Sequence, residues 1–299
     1  MYQLDIPNFA KELIGSISSE QIDIIFSQQY EEIINQIKME INPNQQNQFS
    51  GFWWEENAQR ASYWFMKIQL SWNTSGTDFD KTHAFLNNLF ETEEIDLSFQ
   101  NGLMGLLLWL GRENEMIKDL VIEDFIEKAT QFLLSKKMKL NANWKQFSFF
   151  PEAFDEDTWT SNNTLSWTVG DLHLVKLLYR QSKGYSESKY YEIAENIGLH
   201  STTRVREEQT QITDSSLANG SIGLVVLYKA LYQATGQEAY LKSSQYWRMR
   251  TEKFLETELQ NGYYTGREDH ILDGLAGILM VFQALEKEEI NPLLTYLAG

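Results

Sequence analysis

Apolar residues recur along the chain at intervals of three and four positions, which places them on one face of an α-helix. Two representative stripes are Ile33, Ile34, Ile37 and Ile41, and Leu224, Leu227, Leu231 and Tyr232. The chain has only four prolines, and no alternating strand pattern flanks an Asn-Gly turn. Proline interrupts helices, so its scarcity favours them. The sequence also lacks the strand and turn pattern of a β-hairpin. Together these features predict an all-α protein.

A glycine motif repeats in the C-terminal two thirds of the chain. It occupies residues 101–106, 169–174, 219–224 and 273–278. Each copy opens an apolar helical stretch, and the first glycines lie about 50 to 70 residues apart, enough for two helices and their loops. A helix pair of this size cannot bury its apolar faces alone, so the units are predicted to stack or to close into a ring.

In three of the four copies a second glycine follows three residues later, as Gly105 follows Gly102. The two glycines share one helix face, where the missing side chains let a neighbouring backbone approach closely. This packing requirement accounts for most of the glycines without any function. Residues 1–95 are assigned to further N-terminal helices and residues 95–299 to the repeats, together forming a single α/α-toroid domain, 1–299.

Composition narrows the classes of function. The chain contains no cysteine, which excludes disulfides, thiolate nucleophiles and cysteine-ligated zinc sites. Its formal net charge of -17 argues against nucleic acid, because binding a phosphate backbone depends on Lys and Arg replacing counterions. A cationic peptide is compatible with such a surface, although acidic surfaces also serve solubility alone.

No segment predicts a membrane span or a secretion signal. The longest apolar run, residues 103–111, ends at Arg112 and is far shorter than the roughly 20 residues that cross a bilayer. The first residues lack the basic, apolar and small-residue order of a signal peptide. The expected location is therefore the cytoplasm.

Two motifs carry a resemblance to a known family. Residues 166–171, Ser-Trp-Thr-Val-Gly-Asp, are similar to the Trp-Cys-Tyr-Gly motif of the lanthionine synthetase C-like proteins, and residues 216–220, Ser-Leu-Ala-Asn-Gly, to their Ser-Leu-Cys-His-Gly motif. Residues 272–277 and 292–294 fit the family's C-terminal end. The resemblance covers roughly residues 95–299. It implies a double-layered α/α toroid, a role in lanthipeptide-type peptide modification, and a precursor peptide and a dehydratase as partners.

The residues that do the family's chemistry differ in this chain. In the family, two cysteines and a histidine of these motifs bind zinc, and the matching residues here are Thr168, Ala218 and Asn219. The family's histidine assigned to proton transfer is matched by Asn101, and the tyrosine after the first cysteine by Val169. The resemblance therefore implies a zinc-free protein without a cofactor.

These replacements bear on the family's reaction, which requires an ionised substrate thiol. A free thiol with a pKa of about 8.5 is only a few per cent ionised at neutral pH, whereas zinc coordination deprotonates it. Asparagine does not exchange protons near neutrality, so neither Asn101 nor Asn219 replaces a histidine. A non-catalytic protein that binds a peptide or a partner protein in its cavity is therefore predicted. The candidate binding residues are Asn101, Trp167, Thr168, Asp171, His173, Asn219 and Asp273.

A substitute metal site would need the four histidines. These are His83, His173, His200 and His270, and their spacing with acidic residues matches no familiar ligand set. His173 falls on a helix beside the expected cavity, where a lone histidine is more often hydrogen-bonded structure than a ligand. No metal ligand is therefore assigned.

An enzyme that needs no metal is the alternative. Aromatic walls and paired carboxylates are the means by which α/α-barrel glycoside hydrolases hold and cut sugars. The nine tryptophans fit that description, as do the acids Asp155, Glu156, Asp157, Asp171 and Asp214. The simpler interpretation is that most tryptophans pack the core and most acids face water. The sequence leaves both functions open.

Overall fold

The structure of the protein is a computed structural model. It describes residues 94–97, 99, 103–141, 143, 145–151, 153–155, 159–160, 163–183, 187–268, 270 and 272–287. All of these residues belong to one compact unit. The stripe predicted at 33–41, with most of the assignment for 1–95, falls outside them, and the single domain 1–299 stays a prediction.

The described part of the chain is mainly helical, as the sequence predicts. Its eight helices are α1 (Leu103–Ile117), α2 (Leu120–Ser135), α3 (Asp171–Gln181), α4 (Lys189–Thr202), α5 (Glu207–Thr210), α6 (Ser221–Thr235), α7 (Glu238–Gln260) and α8 (Leu275–Lys287). Helices α1, α3, α6 and α8 each begin directly after the first glycine of a motif, which confirms that the motif opens helices. Among the described residues, none of the helices combines the length and apolarity that a bilayer crossing requires.

Side chains and glycines fix several helix ends. Asp119 caps α2, because its carboxylate accepts hydrogen bonds from the amide nitrogens of Val121 and Ile122 at 2.8 and 3.0 Å. Ser188 caps α4 in the same way through the amide nitrogen of Tyr190. Helix α6 ends at Thr235 and is capped by Gly236, whose φ of 71° is the left-handed conformation in which helices commonly stop.

The helices pack in pairs that follow the repeat. Helix α1 packs against α2, α3 against α4, and α6 against α7. The first helices of successive units also contact one another, α1 with α3, α3 with α6, and α6 with α8. Every residue of α6 from Ser221 to Tyr228 is buried, whereas α7 buries residues along one face. The glycine-led helices therefore form an inner layer and their partners an outer layer.

Two glycines show why the motif requires this residue. A Cβ atom on Gly105 would lie 2.1 Å from the carbonyl oxygen of Phe99, and one on Gly223 would lie 2.2 Å from the carbonyl oxygen of Leu217. In both repeats, the loop before an inner helix folds back onto the first turn of that helix. The predicted close approach of backbone is therefore confirmed, and the approaching segment is the preceding loop.

Three short antiparallel strands interrupt the helical pattern. Strand β1 (Glu94–Asp96) pairs with β2 (Ala153–Asp155), which pairs with β3 (Trp159–Thr160). Phe154 is opposite Trp159 in the register. The sequence analysis does not predict these strands, because two or three residues are too few to show an alternating pattern.

Candidate functional site

The three positions that the resemblance matches to the family's zinc ligands lie together. Thr168 is in the loop before α3, and Ala218 and Asn219 are in the loop before α6. The amide nitrogen of Thr168 donates a hydrogen bond to the carbonyl oxygen of Ala218 at 3.1 Å, and its hydroxyl donates one to Oδ1 of Asn219. The fold therefore joins two repeats whose residues 168 and 219 are 51 positions apart.

A serine completes a group of hydrogen-bonding side chains that we call the polar cluster, consisting of Ser166, Thr168 and Asn219. Oγ of Ser166 lies 3.0 Å from Oγ1 of Thr168 and 3.5 Å from Oδ1 of Asn219. The amide nitrogen of Val169 donates to Oγ of Ser166 at 3.2 Å. Ser166 and Thr168 are buried, while Asn219 is exposed. The polar cluster therefore reaches from the interior to the protein surface.

The polar cluster does not fit a zinc ion. Zinc in proteins is held by thiolate, imidazole or carboxylate groups, whereas the cluster offers two hydroxyls and a neutral amide, with only a methyl group at Ala218. Within the described residues, no three histidine, aspartate or glutamate side chains are grouped so that they would hold a metal. The atoms present therefore favour hydrogen bonding over metal coordination.

A third loop, residues 261–274 between α7 and α8, meets the same place. The amide nitrogen of Ala218 donates to the carbonyl oxygen of Leu272 at 2.8 Å. Asp273, the next residue, is exposed, and its carboxylate lies 3.0 Å from Nδ1 of His270 and 3.6 Å from Nη1 of Arg267. Asp273 therefore belongs to the loop that adjoins the polar cluster, with its carboxylate already engaged by two neighbours.

Trp167 and His173 are buried beside the polar cluster. Nε2 of His173 lies 2.5 Å from the carbonyl oxygen of Trp167, and the imidazole stacks on Phe99 with ring centroids 3.9 Å apart. Burial lowers the pKa of His173 to about 3, so the ring is neutral at pH 7 and its Nε2 donates. With 8% of Trp167 and 1% of His173 exposed, the two residues support the loop that carries Thr168.

Asp171 is buried in an ion pair. Oδ2 of its carboxylate lies 3.4 Å from Nη1 of Arg204 and accepts a hydrogen bond from the amide nitrogen of Phe149 at 3.0 Å. Burial raises the pKa of Asp171, and the Arg204 guanidinium opposes that rise. Arg204 also donates to the carbonyl oxygens of Asn163 and Gln209. The pair therefore fastens two loops and α5 to the start of α3.

Glu258 in α7 is a buried acid that the sequence analysis missed. Its Oε1 accepts from the amide nitrogen of Ser215 at 3.0 Å, and its Oε2 accepts from the hydroxyl of Tyr264 at 3.0 Å and from the hydroxyl of Ser215. Burial raises the pKa of Glu258. These bonds connect the loop that carries Asn219 with the loop that carries Leu272. In a polar helix, a buried glutamate has the same sequence signature as an exposed one, so no pattern marks it.

The acids of the glycoside hydrolase hypothesis have structural partners where their side chains are described. Besides the paired Asp171, Asp214 accepts a hydrogen bond from the amide nitrogen of Ser216 at 2.8 Å and shapes the loop before α6. Glu156 and Asp157 lie outside the described residues, as does Asn101 of the family resemblance. Carboxylates that hold loops in place are poor candidates for an acid and base pair, so these contacts do not favour the hypothesis.

The chain has the fold of the α/α-toroid proteins. Its helices are paired, the glycine-led helices form an inner layer, and the loops before them meet at Ala218. A family model described as lanthionine synthetase C-like protein matches residues 67–297. Because this match covers more than half of the chain, the protein belongs to the lanthionine synthetase C-like family. The family identified from residues 166–171 and 216–220 is thereby confirmed.

One solved structure similar to the chain is nisin cyclase. The two superimpose with a TM-score of 0.57 and 14% sequence identity, over 77% of this chain and 61% of the nisin cyclase chain. The chain therefore matches less than two thirds of the length of nisin cyclase, and the likeness concerns the fold. None of the curated proteins compared with the chain matches it.

Proposed function

We propose that the protein acts in a lanthipeptide-type modification pathway in the cytoplasm, where it binds a peptide in its central cavity without zinc and without forming thioether rings. Membership of the lanthionine synthetase C-like family supports the pathway and a peptide as the ligand. The chemistry of the polar cluster supports the absence of ring formation. The bound molecule is a precursor peptide, and a dehydratase of the same pathway is a candidate partner.

The observation that carries this proposal is the hydrogen bond between Thr168 and Asn219. Both residues stand at positions that the resemblance matches to the family's zinc ligands, and the Thr168 hydroxyl donates to Oδ1 of Asn219. A hydroxyl and a neutral amide do not ionise near pH 7, so they neither activate a thiol nor accept its proton. A peptide thiol at this place keeps its ordinary pKa of about 8.5 and stays largely protonated.

The charge of the protein bears on the choice of peptide. A formal net charge of -17 attracts basic segments over a distance of about 10 Å at 0.1 M salt. The proposal therefore favours a precursor peptide with lysine or arginine residues, and its binding weakens as the salt concentration rises.

Elemental analysis of the purified protein tests the zinc-free part of the proposal. We expect no stoichiometric zinc after dialysis, because Thr168, Ala218 and Asn219 lack groups that hold zinc tightly. One equivalent of zinc that survives dialysis would show that other residues form a metal site.

A binding and cyclisation assay tests the remainder. The protein is mixed with the dehydrated, cysteine-containing precursor peptide encoded beside its gene, binding is measured by calorimetry, and free thiols are counted by alkylation and mass spectrometry. We expect saturable binding and the same number of free thiols as in a mixture without protein. Protein-dependent loss of thiols without added metal would contradict the non-catalytic function, and the absence of binding would contradict the peptide as ligand.

A further inference from the structure

We infer that Asn219 donates hydrogen bonds from its side-chain amide to a backbone carbonyl oxygen of the bound peptide. The site would then bind a hydrogen-bond acceptor of the peptide, whereas a zinc site would bind a cysteine thiolate. This inference rests on the proposed peptide-binding function, and it names the chemical group that the polar cluster recognises.

A backbone amide fixes which atoms donate and which accept in the polar cluster. The amide nitrogen of Val169 is a donor only, so Oγ of Ser166 accepts from it at 3.2 Å. The Thr168 hydroxyl donates to Oδ1 of Asn219, so Oγ1 of Thr168 accepts from the Ser166 hydroxyl at 3.0 Å. Two more distant acceptors of that hydroxyl are the carbonyl oxygen of Val169 at 3.4 Å and Oδ1 of Asn219 at 3.5 Å. In such a chain each bond polarises the next one. The chain ends on the carbonyl oxygen of the Asn219 side chain and fixes that oxygen toward the interior.

The other end of the same amide carries the donors. With Oδ1 of Asn219 held by the buried Thr168, the NH₂ group points to the opposite side, and the residue is exposed. No acceptor within the described residues is bonded to this NH₂ group. Its two N–H donors are therefore available to a ligand. Because the buried hydroxyls hold the amide in one orientation, little side-chain freedom is lost when a ligand binds.

The two N–H donors of Asn219 bind some groups of a peptide better than others. A backbone carbonyl oxygen has two lone pairs and accepts readily, whereas a thiol is a weak acceptor. Every peptide bond supplies such a carbonyl, including those next to dehydrated residues. The neighbouring Ala218 contributes a methyl group and no polar side-chain atom. The polar cluster therefore recognises peptide backbone, and a cysteine is not required for binding.

The experiment uses the full chain and two forms of one probe. The probe is the dehydrated precursor peptide encoded beside the gene, either with free cysteines or with its cysteines alkylated. Calorimetry compares the wild-type protein with Asn219→Ala, which removes the donors, and Asn219→Asp, which keeps the oxygen that Thr168 contacts. Thr168→Val removes the hydroxyl that orients the amide. The matched control is Asn261→Ala, an exposed asparagine at the end of α7.

We expect the wild-type protein and Asn261→Ala to bind both forms of the peptide equally well. Asn219→Ala and Asn219→Asp should each weaken binding about tenfold, which is the usual effect of losing one or two hydrogen bonds to a neutral group. Thr168→Val should weaken it less, by about threefold, because the amide keeps its donors and loses only its orientation. Circular dichroism should show unchanged helix content in every variant.

The outcomes separate this inference from the function on which it rests. If the wild-type protein binds neither form of the peptide, the proposed function fails, and the inference fails with it. If the wild-type protein binds and both Asn219 variants bind equally tightly, only the inference fails. Binding that disappears when the cysteines are alkylated would identify the thiol as the recognised group and would also overturn the inference.

Discussion

Replacing Gly223 with alanine should lower the free energy of unfolding, because the inner helix α6 has no room for a side chain at this position. A Cβ atom there would lie 2.2 Å from the carbonyl oxygen of Leu217 and 2.8 Å from Cβ of Trp167. The first contact is with backbone, so the loop that carries Ala218 would have to shift by about 1 Å to reach an ordinary contact distance. This loop is one of those that form the candidate site.

The expected magnitude follows from two opposing effects. Overpacking of a well-packed region costs about 1 to 3 kcal/mol, while alanine improves on glycine in a helix interior by about 1 kcal/mol and by less in the first turn. The clash with backbone places the cost at the upper end of its range. The net loss of stability for Gly223→Ala is therefore about 1 to 2 kcal/mol. Gly105→Ala should behave in the same way, since a Cβ atom there would lie 2.1 Å from the carbonyl oxygen of Phe99.

Urea unfolding followed by tryptophan fluorescence measures this difference, and Gly111→Ala is the matched control. Gly111 also lies within a helix, but a Cβ atom there meets no backbone, only the Arg180 side chain, with Cδ at 3.3 Å. Arg180 is held by Leu108 and Glu115, and it has to give by only a few tenths of an ångström. The stability of the control should therefore stay within about 1 kcal/mol of the wild-type value. If Gly223→Ala and Gly105→Ala unfold at the same urea concentration as Gly111→Ala, the argument that the motif glycines serve backbone packing is wrong.

Two further changes test the buried polar residues around the site. Arg204→Met should lower the free energy of unfolding by about 3 to 5 kcal/mol, because Asp171 is then left buried without its cationic partner. The double variant Arg204→Met/Asp171→Leu should recover part of this loss, and urea unfolding measures both changes. His173 should make a contribution to stability that is lost as the pH drops from 6.5 towards 3, because the unfolded chain binds a proton at the ordinary pKa of histidine while His173 in the fold does so only at about 3. The raised pKa values of Asp171 and Glu258 act in the opposite direction. The contribution of His173 to stability is thus fully present above pH 6.5. The free energy of unfolding of His173→Gln should therefore fall less between pH 7 and pH 4 than that of the wild-type protein. If the two proteins show the same variation with pH, other groups cause it.

The sequence predicted the helical fold because local pattern and burial agree along the inner helices. Leu224, Leu227 and Leu231 form the apolar stripe of α6, and all three are buried. The glycine motif predicted where α1, α3, α6 and α8 begin, since each first glycine is followed directly by a helix. The predicted stacking of the units also brings Thr168 and Asn219, from two equivalent loops, into contact. These features follow from the spacing of residues within one repeat or from the length of the repeat. Both can be read from a single sequence.

The polar contacts between repeats were not predictable in the same way. Arg204 stands in a segment rich in charged residues, where a single arginine gives no sign of being buried, and its partner Asp171 is 33 positions away. Glu258 is likewise hidden in the polar pattern of α7. Ser166 was part of the family motif, but its place in the polar cluster depends on the bond from the amide nitrogen of Val169. Pairings of this kind are decided by tertiary packing, which leaves no periodic trace in the chain.

The bonds that join the three loops at Ala218 run from main chain to main chain. The amide nitrogen of Thr168 meets the carbonyl oxygen of Ala218, and the amide nitrogen of Ala218 meets the carbonyl oxygen of Leu272. The frame of the site and its chemistry are therefore carried by different atoms, so side chains can be exchanged at positions 168, 218 and 219 while the frame keeps them adjacent. The family resemblance matches these three positions to zinc ligands, so the residues that differ from the family are adjacent in the fold. In this chain the same backbone arrangement holds the side chains of Thr168 and Asn219 in hydrogen-bond contact.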